Sequence, residues 1–320
     1  MTAEPLERPA AARAPESEEA LVQLLDRLEA AGYDFVTPTP ATHALVAARR
    51  ERARFGSLRD VFGWSLPFSP GDLPPAIFDL LLAGQAAEPT GDDLLRAALR
   101  VSRLDGRLHF HSAPGADREA VFLGPDSCRF VRFLRAELER RPAFGRALDI
   151  GAGAGAGALM LAARNPTAEV VATDVNPAAL RLLEINARHA ALPVQAVEGS
   201  GLDGAAGEFD LIVANPPYIA GEGGRIYRDG GPRGIELGLD WMREAAGRLR
   251  PGGRVVLYTG SPISEGRDPV HEALQALAAR RGLRLAYEEI DPDVFGGTLR
   301  RSAYAEVERI AAVGAVLAAP

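Results

Sequence analysis

Seven residues of alternating glycine and alanine, Gly151-Ala152-Gly153-Ala154-Gly155-Ala156-Gly157, follow directly on the apolar run Arg146-Ala147-Leu148-Asp149-Ile150. The pair leaves few folding options. The apolar run reads as a buried strand, and the small residues after the loop read as a helix through about Ala163. Glycines in the connection let the backbone approach a ligand and expose amides at a helix N-terminus. A second apolar run, Glu169-Val170-Val171-Ala172-Thr173, ends on Asp174. An acidic residue at that strand end, about twenty residues after the loop, suits the two hydroxyls of a ribose. A nicotinamide cofactor fits these two features as well, so a dehydrogenase stands among the readings at this point.

The chain continues as strands alternating with helices. Asn176-Pro177 starts a helix carrying Leu180, Leu183 and Ile185. A third strand covers Val194–Val197 and a fourth Asp210–Ala214. A helix over Leu239–Leu249, stopped by Pro251-Gly252-Gly253, precedes a fifth strand over Arg254–Thr259. A helix over Val270–Ala279 and strands over Leu283–Ile290 and about Tyr304–Val316 complete the set. This alternation predicts an α/β fold with a doubly wound, seven-stranded, Rossmann-like sheet. Ligands bind such sheets outside the carboxyl ends of the strands, near the switch in strand order. The glycine loop, Asp174 and the end of the fourth strand are therefore expected to converge.

That fourth strand runs into Asn215-Pro216-Pro217-Tyr218-Ile219. Each proline restricts its own φ and pushes the preceding residue into an extended conformation. Neither proline donates a backbone hydrogen bond. The Asn215 side-chain oxygen and the Pro216 carbonyl form a two-acceptor clamp for a planar NH2 group. Tyr218 offers a flat face to the same group. The bland reading is a rigid turn ending a buried strand. It leaves the coincidence with the upstream loop unexplained, as does the dehydrogenase reading.

The first third of the chain has a different grain. Residues 1–17 are Pro- and Ala-rich with no apolar signal core and are expected to be a disordered tail. Residues 18–118 read as a separate, mainly helical and winged-helix-like unit for substrate docking or dimerisation, and residues 119–320 as the catalytic domain. Helices are predicted over Glu18–Ala31, Thr39–Arg54, Gly56–Trp64 and Ala76–Leu82. A hairpin is predicted for Leu99–Arg103 and Arg107–His111 around Asp105-Gly106. His109 and His111, with no cysteine or carboxylate at ligand spacing, are expected on a sheet surface, and no metal site is expected. Asp126 or Ser127 reads as the cap of a helix running to about Arg141. Trp64 and Trp241 read as packing residues, and Asp291-Pro292-Asp293 as a loop rather than a metal-ligating pair.

Charge narrows the partners. All 36 basic residues are arginine, and the net charge of −7 with a pI near 5.4 argues against holding long nucleic acid by bulk electrostatics. The single cysteine, Cys128, excludes an intrachain disulfide and fits a reducing compartment. No apolar run reaches membrane-spanning length, and a cytoplasmic protein is expected.

Asp149-Ile150-Gly151-Ala152-Gly153-Ala154-Gly155, then Asp174, then Asn215-Pro216-Pro217-Tyr218 resembles the class I S-adenosylmethionine-dependent methyltransferases. Within them, the Asn-Pro-Pro-Tyr run resembles the enzymes that methylate amide or exocyclic amino nitrogens. Ile219, the later Asp229-Gly230-Gly231…Gly238-Leu239 and Gly124-Pro125-Asp126-Ser127 resemble the release-factor glutamine methyltransferases. The resemblance implies S-adenosylmethionine as cofactor, with Asp149, Gly151, Gly153, Gly155, Asp174, Val175, Ser200, Gly201, Leu202 and Asn215 around it. It implies that Asn215, Pro216 and Tyr218 carry the transfer, and that Pro217, Tyr218, Tyr227, Arg228, Phe122 and Pro125 meet the substrate. Gly201 stands where the family places an adenine-reading Asp, with Asp203 as the nearest substitute. The implied acceptor is a protein glutamine, as in a release factor. A nucleic-acid amino group, a small-molecule amine and a non-catalytic cofactor-binding module remain as alternatives.

Overall fold

Strands with a two-residue burial alternation separate two cores. In the computed structural model, which describes residues 15–53, 56–91, 93–115, 119–220 and 229–320, the alternation is visible strand by strand. Along β8 (Phe209–Ala214), Leu211 and Val213 face one core while Ile212 and Ala214 face the other. The sheet joins β5 (Arg146–Ile150), β6 (Glu169–Asp174), β7 (Gln195–Glu198), β8, β9 (Leu249–Ile263), β10 (Arg284–Asp291) and β11 (Arg309–Ala318) in the order β10-β11-β9-β8-β5-β6-β7. Only β11 is antiparallel to its neighbours; the other pairs are parallel. The order reverses at β5, so the crevice expected for a ligand lies at the carboxyl ends of β5, β6 and β8.

Helices α5 (Pro125–Arg140), α6 (Ala156–Arg164) and α7 (Pro177–His189) pack on one face, and α8 (Glu236–Ala246) and α9 (Pro269–Arg281) on the other. Helix α8 ends at Ala246, capped by Gly247 and well before Pro251, because β9 already begins at Leu249. The last strand begins at Arg309 rather than near Tyr304, since short 3-10 turns occupy Gly296–Arg300 and Ser302–Tyr304. One buried ion pair ties α5 to β9: Arg254 Nε lies 3.0 Å from Glu137 Oε1, with both side chains under a tenth exposed.

Upstream lie α1 (Pro15–Ala30), α2 (Pro40–Ala53), α3 (Leu58–Phe62) and α4 (Pro75–Ala83). A two-stranded ribbon, β1 (Ala87–Gly91) with β2 (Leu94–Ala97), was not anticipated from the sequence; the hairpin β3 (Leu99–Leu104) with β4 (Arg107–Ser112) was. Leu21, Leu24, Leu25 and Leu28 of α1 belong to the same continuous core as Leu182 and Leu183 of α7. Polar contacts line the seam: Arg181 pairs with Glu18 at 3.1 Å, and His189 Nδ1 lies 2.8 Å from Asp26 Oδ1.

Packing on both faces of the hairpin corrects the expectation for its histidines. His109 and His111 are each 2% exposed, not on a sheet surface. His111 Nε2 meets Ser102 Oγ at 2.9 Å, and Phe110 between the two histidines is held by α7. Asn186 makes that connection from the buried side of α7. Its Oδ1 accepts the Phe110 N–H at 2.8 Å, and its Nδ2 donates to the carbonyls of Phe110 at 3.1 Å and Ala154 at 3.0 Å. One side chain thus joins the hairpin to the glycine loop. No group of three or more metal-ligating side chains occurs among the described residues, and none of their helices is long and apolar enough to cross a membrane.

Candidate active site

The carboxyl ends of β5, β6 and β8 open into one cavity of about 1570 Å³. Its wall includes Asp149, Gly151 and Gly153 at the end of β5, Asp174 and Val175 at the end of β6, Gly199 and Gly201 after β7, and Asn215–Ile219 after β8. Phe122, Pro125 and Asp126 form another side.

The glycine loop is shaped by left-handed backbone. Gly151 and Gly153 have φ of +66° and +55°, which only glycine adopts without cost. A Cβ on Gly151 would also stand 2.8 Å from Trp241 Cη2. Asp174 braces the loop, its Oδ2 accepting the Gly153 N–H at 2.9 Å and its Oδ1 the Asn176 N–H at 2.9 Å. Asp149 is 2% exposed, and its Oδ2 accepts the Ala158 N–H at 2.7 Å. Burial, helped by the charge of Asp174, raises the Asp149 carboxyl to about 7. Burial also raises Asp174. Two carboxylates penalised in this way make a site that gains from an incoming cation.

Those features fit S-adenosylmethionine, whose sulfonium and ammonium are cationic and whose ribose presents a diol. Val175, 47% exposed beside Asp174, offers apolar contact at the cavity wall. Three implied contacts do not reach the wall. Gly155 caps α6 at φ +89°, and a Cβ there would strike Leu159 and Leu183, so it serves helix packing. Ser200 is exposed outside the cavity, while Leu202 is buried in the core around Trp241. Asp203 does not replace the missing adenine-reading carboxylate: it is exposed and lines a separate recess with Arg243 and Arg248. Gly201 itself sits under Trp241, where a Cβ would stand 3.1 Å from Nε1.

The elbow after β8 is tightly enclosed. Asn215 is half-buried and faces the cavity, while Pro216 is buried. The glycines downstream are needed because backbone lies against backbone. Gly230 donates its N–H to the Ile219 carbonyl at 2.9 Å, and a Cβ on it would stand 2.6 Å from the Pro217 carbonyl oxygen. A Cβ on Gly238 would stand 3.0 Å from Pro216 Cγ.

Tyr218 is 6% exposed and fixed at three points. Its hydroxyl donates to Asp126 Oδ1 at 2.5 Å, a second donor being the Tyr258 hydroxyl at 2.7 Å. Gly260 lies under its ring with no room for a side chain, and Phe295 meets it edge-on at 5.7 Å. Asp126 is therefore not the cap of α5. Gly124 is the N-cap residue, Ser127 Oγ accepts its N–H at 3.3 Å, and Asp126 turns inward.

Tyr227 and Arg228 lie outside the described residues. Sequence reasoning missed Thr39 and Pro40, Phe130, and the group Asp293, Val294 and Phe295, all of which line the cavity. Asp291 pairs with Arg129 at 2.9 Å, so the Asp-Pro-Asp run is split between a structural ion pair and the cavity wall.

Comparison with known proteins places the middle of the chain. Residues 129–275 match the model of the "Methyltransferase small domain" family. The release factor glutamine methyltransferase of Deinococcus radiodurans is 37% identical over 52% of this chain and 64% of its own length. That of Moorella thermoacetica is 38% identical over 46% of this chain and 54% of its own. A ribosomal RNA small subunit methyltransferase C of Pseudomonas entomophila is 29% identical over 51% of this chain and 46% of its own. The chain thus spans under two thirds of the length of each of these relatives. Residues 129–275 are thus similar to the methyltransferase small-domain family, and the relatives the chain matches are methyltransferases.

Proposed function

We propose that this protein methylates a carboxamide nitrogen of a protein side chain, a glutamine, from S-adenosylmethionine. The observation that carries the reading is the meeting of the Asn215–Tyr218 elbow with Asp149 and Asp174 in one cavity. The curated relatives named as glutamine methyltransferases support the choice of acceptor.

S-adenosylmethionine, when bound, supplies a methyl group already activated on sulfur. What the chain adds is position and field. Asp149, Gly151, Gly153, Asp174 and Val175 hold the cofactor, with charge complementarity from the buried Asp149 and the half-buried Asp174. Asn215 Oδ1 and the Pro216 carbonyl accept the two amide N–H groups of the acceptor. Accepting both returns electron density to a nitrogen whose lone pair is otherwise delocalised into the carbonyl; on transfer the methyl–sulfur bond would break to release a neutral thioether, and one amide N–H proton would pass to water. Fixing an attack line is worth several kcal/mol, roughly 7–11 at the limit of model systems. Tyr218, unable to move, forms a wall against which the flat group lies. Pro217, Phe122 and Pro125 extend that wall.

The rRNA relative motivates a nucleobase amine as the second reading. The cavity charge weighs against it. Among the described residues the wall carries five carboxylates, Asp126, Asp149, Asp174, Asp229 and Asp293, and one guanidinium, Arg129. That guanidinium is already paired with Asp291. Across the described residues such a wall disfavours phosphates and accepts a neutral amide.

The test is methyl transfer from labelled cofactor to a purified bacterial release factor and to ribosomal RNA, with Asn215→Ala beside the parent chain. Label on glutamine in the release factor, at least 100-fold reduced in the variant with cofactor affinity within threefold, is the expected result. Label in RNA alone, or equal loss of binding and turnover in the variant, refutes the assignment.

A further inference from the structure

Phe295 braces Tyr218 edge-on, but that contact alone does not account for its backbone or its exposure. It lies between β10 and β11 with φ of 57° and ψ of 33°, in the left-handed region. A bulky side chain is a genuine outlier there, and such strain persists where surrounding contacts impose it. The ring is not a core residue. It is 38% exposed, one of five large apolar side chains so exposed among the described residues. It lines the cavity and meets the Tyr218 ring at 5.7 Å with 65° between the planes.

The loop around it is firmly anchored. Val294, next to it, is 5% exposed and donates its N–H to the Ile310 carbonyl at 2.8 Å. Thr298 donates to the Phe295 carbonyl at 2.7 Å. Further along, Arg301 Nη1 donates to the Ala220 carbonyl at 3.0 Å, and the Tyr304 hydroxyl accepts the Ala220 N–H at 2.7 Å. The loop is thereby tied to the chain that leaves the Asn215–Tyr218 elbow. A strained, half-open aromatic ring on a rigid loop, edge-on to Tyr218, has the form of a binding surface.

We propose that Phe295 is an acceptor-contacting, specificity-determining residue: its ring forms the outer apolar wall beside Tyr218 and packs on the uncharged arm of the group presented to Asn215. This rests on the proposed reading that the acceptor is an amide gripped by Asn215 and Pro216. Such a ring favours a flat neutral group on an aliphatic arm over an anionic one. It has no part in holding the cofactor.

The test uses Phe295→Gly and Phe295→Leu in the full chain. Glycine adopts φ near +57° freely, so Phe295→Gly removes the ring without straining the loop. The expected result is a melting temperature equal to or above that of the parent. Cofactor affinity stays unchanged, and the KM for a purified release factor rises at least tenfold with kcat reduced less. Phe295→Leu recovers part of that loss. An unchanged acceptor KM in Phe295→Gly overturns the inference and leaves the glutamine reading standing. A fall in melting temperature that accounts for the lost activity makes Phe295 a structural residue and overturns it too. If the parent chain labels no release factor, the glutamine reading fails and the role of Phe295 falls with it.

Discussion

Replacing Asp149 by asparagine isolates one electrostatic term. The Asp149 carboxyl is raised from 3.8 to about 7, first by burial and then by the neighbouring Asp174 charge, against the Ala158 N–H that lowers it. A raised carboxyl binds its proton more tightly in the folded than in the unfolded state. Stability is therefore greatest below the unfolded value and declines as pH rises toward the folded one. At 1.36 kcal/mol per unit, full ionisation costs about 4 kcal/mol, of which about 3 kcal/mol is lost between pH 4.5 and 8. The substituted amide keeps an oxygen for the Ala158 N–H and has no charge to bury. Urea unfolding of the cofactor-free parent and Asp149→Asn, measured in parallel across that interval, should give a stability difference that moves about 3 kcal/mol in favour of the variant as pH rises. The absolute offset also contains the cost of an unpaired amide NH2 and is less informative than the slope. Saturating S-adenosylmethionine should reverse the order at pH 8, because only the carboxylate attracts its cationic end. A stability difference that stays flat from pH 4.5 to 8 refutes the claim that Asp149 is held ionised at a cost.

Glu137→Gln strips the charge opposite buried Arg254. It should cost about 3 kcal/mol in denaturant unfolding, the lower part of the range for breaking a buried pair, because Arg254 keeps its bond to the Arg141 carbonyl. His109, lowered from 6.5 to about 4 chiefly by burial, acts in the opposite sense to Asp149. The unfolded imidazole takes a proton first, so its contribution is intact above 6.5 and lost as pH falls toward 4. His109→Leu should retain about 3 kcal/mol that the parent loses over that interval, seen in the acid limb of an unfolding curve.

The sheet was legible because its strands carry near-continuous apolar runs and its turns carry Gly, Pro and Asp at fixed offsets. The convergence of the glycine loop, Asp174 and Asn215 followed from topology alone. Contacts made across long sequence distances left no such signal. Asp126 sits one position from Ser127, whose hydroxyl accepts the Gly124 N–H, and nothing local says that its carboxylate will meet two tyrosines, 92 and 132 residues away. Phe295 precedes two glycines, either of which suits a left-handed turn better, so its conformation is imposed from outside the loop. Burial of His109 and His111 required knowing that α7 covers the hairpin. The ribbon β1–β2 was obscured by Pro89 and the glycine at its turn, which read as loop.

The triple hydrogen bond of Asn186 bears on how this architecture tolerates rearrangement. An exchangeable front module needs a seam that loses nothing when parted. Here a cut ahead of residue 119 would strip Asn186 of both Phe110 partners, leaving its Ala154 contact as the sole restraint on that side chain. The bond from Asn186 to the glycine loop would then hang on a side chain that the hairpin no longer orients. Transplants of the leading hundred residues between members of such a lineage are thus constrained to carry along the strand that meets position 186.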